Sequence, residues 1–270
     1  MNWLSKKASD TQITHGQRIW LYFLAAVIMF LLVFPTLIVI PMSFSDSQYL
    51  EFPPEKWSIR WYEEYWETPR WINATITSLQ VAFFTMLLAT PTGTMAAYGL
   101  FVSGSKLGRY VFFLLMTPMI IPVILIAIGT FYVFGKVGVV NSIPGLVLAH
   151  TVLAVPIVMI IMTSALRTYD LNQELVARSL GASRIRAFFS ITLPQIKFSI
   201  IISALFAFLT SFDEVIISIF LSGGGNSTLT KQMFNALRDY IDPTIAAIST
   251  LMIILSTTLM LGAQYLGKQD

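Results

Sequence analysis

The sequence predicts an all-α, polytopic membrane protein: a bundle of six transmembrane helices in a single domain covering residues 1–270. Three observations carry this expectation. Of the 270 residues, 56% are hydrophobic and only 11% are charged, whereas an ordinary soluble domain carries about 25% charged residues. The mean hydropathy is +0.73, so lipid rather than one soluble core has to solvate most of the apolar side chains. Apolar stretches long enough to cross a bilayer, which takes about 20 residues per helix, run over roughly 19–44, 72–101, 110–134, 144–166, 196–221 and 244–266.

The first stretch is too long for a cleaved signal peptide, and no small-x-small cleavage site follows it cleanly, so it reads as an uncleaved signal anchor. The loop after it contains WSIRWYEEYWETPRW, residues 57–71. Its Trp and Tyr residues suit a membrane–water boundary, where an interfacial helix would anchor the loop; the alternative is an aromatic and carboxylate surface that attracts a cation. Prolines at 35, 91, 118, 122 and 156 punctuate the spans, each removing a backbone donor, and TPMIIP (117–122) predicts a bend. His150 lies in an apolar run, where a hydrogen-bonded packing role is expected, and His15 reads as a juxtamembrane polar residue.

Orientation follows from the loop cations. With the N-terminus cytoplasmic, Lys6, Lys7, Arg18, Lys106, Arg109, Arg167, Arg178, Arg184, Arg186, Lys197 and Lys268 fall inside, eleven of the 17 Lys and Arg residues. Lys56, Arg60, Arg70, Lys136, Lys231 and Arg238 fall outside. This bias places both termini and the 167–195 loop in the cytoplasm.

Several chemistries are excluded. The chain has no cysteine, hence no disulfide, thiolate metal site or cysteine nucleophile. Two histidines cannot build a histidine-rich metal site, so no metal ligands are assigned. SGGGNSTLTK (222–231) fails as a phosphate-binding loop, which needs Gly directly before Lys and Ser or Thr after it. Here Thr230 precedes Lys231 and Gln232 follows it. Asn73 and Asn226 begin short sequon matches of low specificity. No catalytic residue is assigned.

Residues 174–194, ELVARSLGASRIRAFFSITLP, stand apart from the rest, with three arginines and a Gly-Ala break between apolar runs. They read as helix, break, helix. Glu174 and Arg178 have the spacing of a favourable i,i+4 pair. Gly181 suits the end of the first helix, and Ser183 suits the start of the second. Leu171, Leu175, Leu180 and Ala182 offer one apolar side, and Ile185, Phe188 and Phe189 repeat at helical spacing before Pro194 stops or redirects the chain. Such a face either packs on its own bundle or docks into a groove on a partner.

Anchored on Gly181, this stretch resembles the cytoplasmic loop of binding-protein-dependent ABC importer permeases, the MetI-like transmembrane domain. That family's pattern runs EAA, then Gly, then Ile-x-Leu-Pro. Ile191, Leu193 and Pro194 fall at its offsets, and Gly181-Ala182-Ser183 also matches. The family's glutamate position falls on Leu175 and its two alanines on Val176 and Ala177; Glu174 is one residue early, about 100° around a helix. The stretches WSIRWYEEY, SFDEVIISIFLSG (211–223) and DPTIAAISTLMI (242–253) resemble the spermidine/putrescine branch most. The resemblance implies a six-span, non-catalytic permease subunit of the bacterial inner membrane. It pairs with a second permease subunit, rests on two copies of a cytoplasmic ATPase and receives substrate from an extracytoplasmic binding protein. ATP and Mg would be held by the ATPase, with no cofactor on this chain. The docking loop would comprise Glu174, Leu175, Ala177, Gly181, Ala182, Ile185, Phe188, Phe189, Ile191, Leu193 and Pro194.

Asp213 and Glu214 are expected inside the fifth span. Intramembrane acids are costly and usually face a cavity or a partner. They either border a substrate path that favours a cation or bond to neighbouring helices. Other substrates for such a permease are an opine, another amine or an anion. A secondary transporter, which calls for internal repeats, and a membrane scaffold are the rival classes.

Overall fold

The computed structural model describes residues 14–267; Lys6, Lys7 and Lys268, used in the charge bias above, lie outside the described residues. The described residues form helices α1 (Ile19–Met42), α2 (Arg60–Glu67), α3 (Pro69–Ser103), α4 (Lys106–Ile120), α5 (Val123–Val137), α6 (Ile143–Thr168), α7 (Asn172–Ser179), α8 (Arg184–Ala187), α9 (Leu193–Gln195), α10 (Lys197–Phe212), α11 (Ile216–Leu221), α12 (Leu229–Asp239) and α13 (Thr244–Gly267). Among them, four stretches are long and apolar enough to cross a membrane singly, and up to six if each of two bent helix pairs counts as one span.

The first bent pair is α4 and α5, whose axes differ by 100°. Pro122 disfavours the helical conformation at the residue before it, and Ile121 is accordingly extended at φ −76°, ψ 133°. The TPMIIP bend therefore lies in the middle of the third expected span. The second pair runs from Arg184–Gln195 into α10 and turns by 79°. Pro194 lies in α9, which continues the helical run beyond the wider turn at Phe188–Thr192. The chain is redirected at Ile196 rather than at Pro194.

The contacts divide the chain into two compact units. One ends at Tyr65 and takes in Ile241–Leu251; the other holds Trp66–Tyr240 and continues from Met252. In the first unit, α1 buries none of its spanning stretch. After α1 the chain folds back, Ser58 N–H donating to Phe44 O at 2.7 Å, and Tyr62 Oη lies 2.7 Å from Ser43 Oγ. The WSIRWYEEY stretch thus becomes the lead into α2 and most of α2 itself, with Trp61 and Tyr65 buried and Glu63 exposed.

In the second unit, α3, α6 and α10 pack along one another. Their shared core holds Ala89, Ala97, Ala154 and Ala207 beside Val158, Met162 and Leu166. Small side chains let helices approach closely where lipid provides no hydrophobic drive to associate. The tightest point is Gly93, where an added Cβ would lie 2.7 Å from Val158 Cγ1. Gly93→Val should therefore destabilise the second unit, with about 1–3 kcal/mol expected for overpacking. A lower unfolding temperature of the detergent-solubilised protein would check this, and an unchanged one would show that α3 and α6 can move apart. A second core joins α3, α5, α6 and α11 through Val81, Ala127, Leu146, Leu153, Ile217 and Leu221.

Candidate functional site: the docking loop and the helix break

The loop between α6 and α10 is built as helix, glycine break, helix. Gly181 has φ +97°, the left-handed region that glycine enters freely, so α7 ends there. Ser183 then starts α8, its Oγ accepting from Arg186 N–H at 3.3 Å. Beyond Ala187 the backbone makes one π turn, Phe188–Thr192, instead of continuing the α-helix that the Ile185–Phe188–Phe189 spacing predicts.

This geometry sorts the loop's side chains. Leu175 is 45% exposed, Ile185 73% and Leu180 86%. Val176 and Phe189 are also exposed, while Ala177, Ala182, Ile191 and Leu193 are partly covered and Pro194 is exposed. Around Gly181 lies an open cleft of about 440 Å³, lined by Ala177, Ala182, Arg186, Ala187 and Ile191 among others. Leu171 belongs instead to the covering of the α3–α6–α10 core, so the apolar side is split between the bundle and an open surface. Phe188 turns inward and packs on Tyr98 with ring centroids 4.7 Å apart.

Glu174 also turns inward, with only 1% of its surface exposed. Tyr98 Oη donates to both carboxylate oxygens at 2.7 Å, and Thr192 Oγ1 donates to Oε2 at 3.0 Å. The carboxylate bonds to these hydroxyls rather than to Arg178, which corrects the i,i+4 expectation: a buried carboxylate needs partners where it lies. Tyr98 and Thr192 were not singled out from the sequence. A hydroxyl 76 residues away on another helix leaves no local spacing signal.

The acidic pair occupies a break rather than the interior of a helix. α10 stops at Phe212 and α11 begins at Ile216. Glu214 Oε1 accepts from Ile217 N–H at 3.0 Å, so this carboxylate caps the start of α11. Its backbone carbonyl accepts from Thr230 Oγ1 at 2.9 Å. Asp213 is exposed. The two acids thus differ: one caps a helix, and the other presents its carboxylate openly.

Both sides of the break are tied to α6 by His150, which is buried. Its Nδ1 lies 2.8 Å from Ser211 Oγ and its Nε2 lies 3.4 Å from Ser218 Oγ. Ser211 Oγ in turn donates to Thr85 Oγ1 on α3 at 3.3 Å. At the far end of α11, Lys231 Nζ donates to the carbonyls of Ile219 and Ser222, and partial burial lowers its pKa below the usual lysine range. SGGGNSTLTK therefore forms a capped turn, with Asn226 Nδ2 donating to Asn141 O at 2.8 Å.

The chain as a whole is similar to known transport permeases. The spermidine/putrescine transport system permease protein PotC of Haemophilus influenzae is 29% identical over 254 residues, which cover 92% of this chain and 98% of that protein. The putrescine transport system permease protein PotI of Escherichia coli is 31% identical over 226 residues, 81% of this chain and 80% of the relative. The molybdenum transport system permease protein ModB of Mycobacterium bovis is 26% identical over 211 residues, covering 72% of this chain and 79% of its own. A chain from the crystal structure of a bacterial ABC transporter involved in the import of the acidic polysaccharide alginate superposes with a TM-score of 0.69 at 12% identity, covering 96% of this chain and all of that one. A second, from the alginate transporter in complex with alginate pentasaccharide-bound periplasmic protein, gives 0.70 at 15% identity, over 94% of this chain and 96% of that one. At such identities the structures speak for the fold alone, which is that of a MetI-like permease. The model of the binding-protein-dependent transport system inner membrane component matches residues 89–268, and with that match the chain belongs to this family.

Proposed function

We propose that this chain is the polyamine-importing permease subunit of an ATP-driven transporter. In this reading a second permease subunit completes the path, and two copies of a cytoplasmic ATPase hold ATP and Mg. An extracytoplasmic binding protein delivers substrate. The observation that carries it is the exposed apolar surface of Leu175, Leu180 and Ile185 around the Gly181 cleft. An apolar surface of this kind needs a cover, and its Gly-to-Pro spacing is that of the family's docking loop. The charge bias of the loops supports a cytoplasmic position for this surface and for both termini. The substrate class rests on the polyamine names of the relatives and on Asp213, whose exposed carboxylate suits an ammonium group. The molybdenum relative makes an anion the alternative to be tested, beside an opine or another amine.

The test is reconstitution of the four components in lipid vesicles with labelled putrescine, spermidine and molybdate. ATP-dependent uptake of a polyamine, absent without the binding protein, is the expected result. Uptake of molybdate alone would overturn the substrate class, and uptake driven by an ion gradient without ATP would overturn the transporter class. Within the same system, Gly181→Val forces a β-branched residue to φ +97°, a strain of about 1–3 kcal/mol. It should reduce binding-protein-stimulated ATP hydrolysis about tenfold or more, and an unchanged rate would remove Gly181 from the docking geometry.

A further inference from the structure

Among the described residues, Glu174 is the one Asp, Glu, Lys or Arg whose side chain is buried. Its carboxylate collects the hydroxyls of Tyr98 on α3 and Thr192 on the π turn. Tyr169, just after α6, joins through Thr192, with its Oη 2.9 Å from Thr192 Oγ1. One acidic group therefore fastens α7 to α3 and to both flanks of the loop. A buried carboxylate deprived of its donors is heavily penalised, so this cluster has reason to stay intact while its surroundings move.

Three polar contacts then space themselves along α3. Tyr98 meets the loop, Thr85 accepts from Ser211 beside the helix break, and Ser78 Oγ accepts from Leu229 N–H at the start of α12 at 2.8 Å. At about 1.5 Å per residue, Thr85 lies about 20 Å and Ser78 about 30 Å along the helix from Tyr98. Gly93, between Tyr98 and Thr85, seats α3 tightly on Val158 of α6. The helix thus has a polar attachment to the loop, to the break and to the α12 turn.

The geometry points to Glu174 as the positioning residue that makes α7 and α3 one lever, so that displacement of the docking loop reaches the Asp213 break through the Tyr98 contact. This inference rests on the reading that α7 receives force from an ATPase. It assigns Glu174 an inward role, and leaves contact with the ATPase to Leu175 and its exposed neighbours.

The experiment uses the assembled transporter. The chain has no cysteine, so spin labels can be placed at Arg178→Cys on α7 and Leu87→Cys on α3, both exposed positions. With native Tyr98 and Glu174, the label-to-label distance should stay constant through ATP binding and hydrolysis. With Tyr98→Phe or Glu174→Leu it should shift or broaden on ATP binding, and substrate moved per ATP hydrolysed should fall about tenfold, as expected for losing a bond to a buried charge. Glu174→Gln keeps an acceptor for Tyr98 and should restore most of that ratio. An ATP-driven distance change in the native pair overturns the inference, and so does a constant distance in both variants. Failure of Tyr98→Phe to assemble also overturns it, in favour of a purely structural contact. The distance measurement needs no transported substrate, so a wrong substrate class would show separately, as absent polyamine uptake by the native transporter.

Discussion

Transporter complexes carrying Leu180→Asp together with Leu175→Asp should lose their ATPase during purification. Both leucines are exposed in the isolated chain, and burying a leucine in a partner's groove contributes about 1.5–3 kcal/mol. Two such losses, with two carboxylates added to an apolar contact, should weaken association by at least about 100-fold. The bundle should remain folded, because neither side chain supports it. Glu174→Gln, by contrast, should retain the ATPase, since this side chain faces Tyr98 rather than the open surface. Co-purification of tagged ATPase with each variant measures the difference. If the double aspartate variant holds its ATPase and Glu174→Gln releases it, the exposed ridge is not the docking surface.

The second large effect is expected at the break. Asp213→Asn removes an open carboxylate with little change of shape, and should depress polyamine uptake about tenfold or more if it meets an ammonium group, the worth of a charged hydrogen bond. Glu214→Gln should stay near the native rate, because its Oε1 can still accept from Ile217 N–H. Glu214→Ala removes that cap and should cost about 1 kcal/mol of stability. The measurement is vesicle uptake at saturating binding protein, beside an unfolding temperature for each variant. Native uptake by Asp213→Asn would leave the pair with structural work only and withdraw its support for a cationic substrate.

These two sites were legible from sequence to different depths, for physical reasons. Gly181 and Ser183 act on their own neighbours, so residue type and spacing were enough to place a helix end and a helix start. Pro122 similarly announced the α4–α5 bend. The break at Asp213 was hidden because the apolar run continues on both sides of it, from Lys197–Phe212 into Ile216–Leu221. Hydropathy reports burial and cannot see which backbone bonds close; only the Asp-Glu pair marked the place. The inward turn of Glu174 was invisible because its donors come from α3 and from the π turn. Register did indicate that Leu175, not Glu174, holds the family position, and the structure finds one of these neighbouring side chains exposed and the other buried, about 100° apart around the helix.

The Thr230 bond to the Glu214 carbonyl has a consequence for biosynthesis. The Glu214 carbonyl, just past the end of α10, receives a partner that the ribosome makes only sixteen residues later. Until then the growing chain holds an interrupted, strongly apolar segment whose open carbonyl fits poorly in hydrocarbon. A released chain truncated after Gly225 should therefore leave this segment loosely inserted and open to protease. Moving the truncation point past Asp239, the end of α12, should settle it in the bilayer. Thr230→Val should prolong the vulnerable stage in the full-length chain, making the α12 turn a checkpoint of membrane integration as well as a piece of the finished fold.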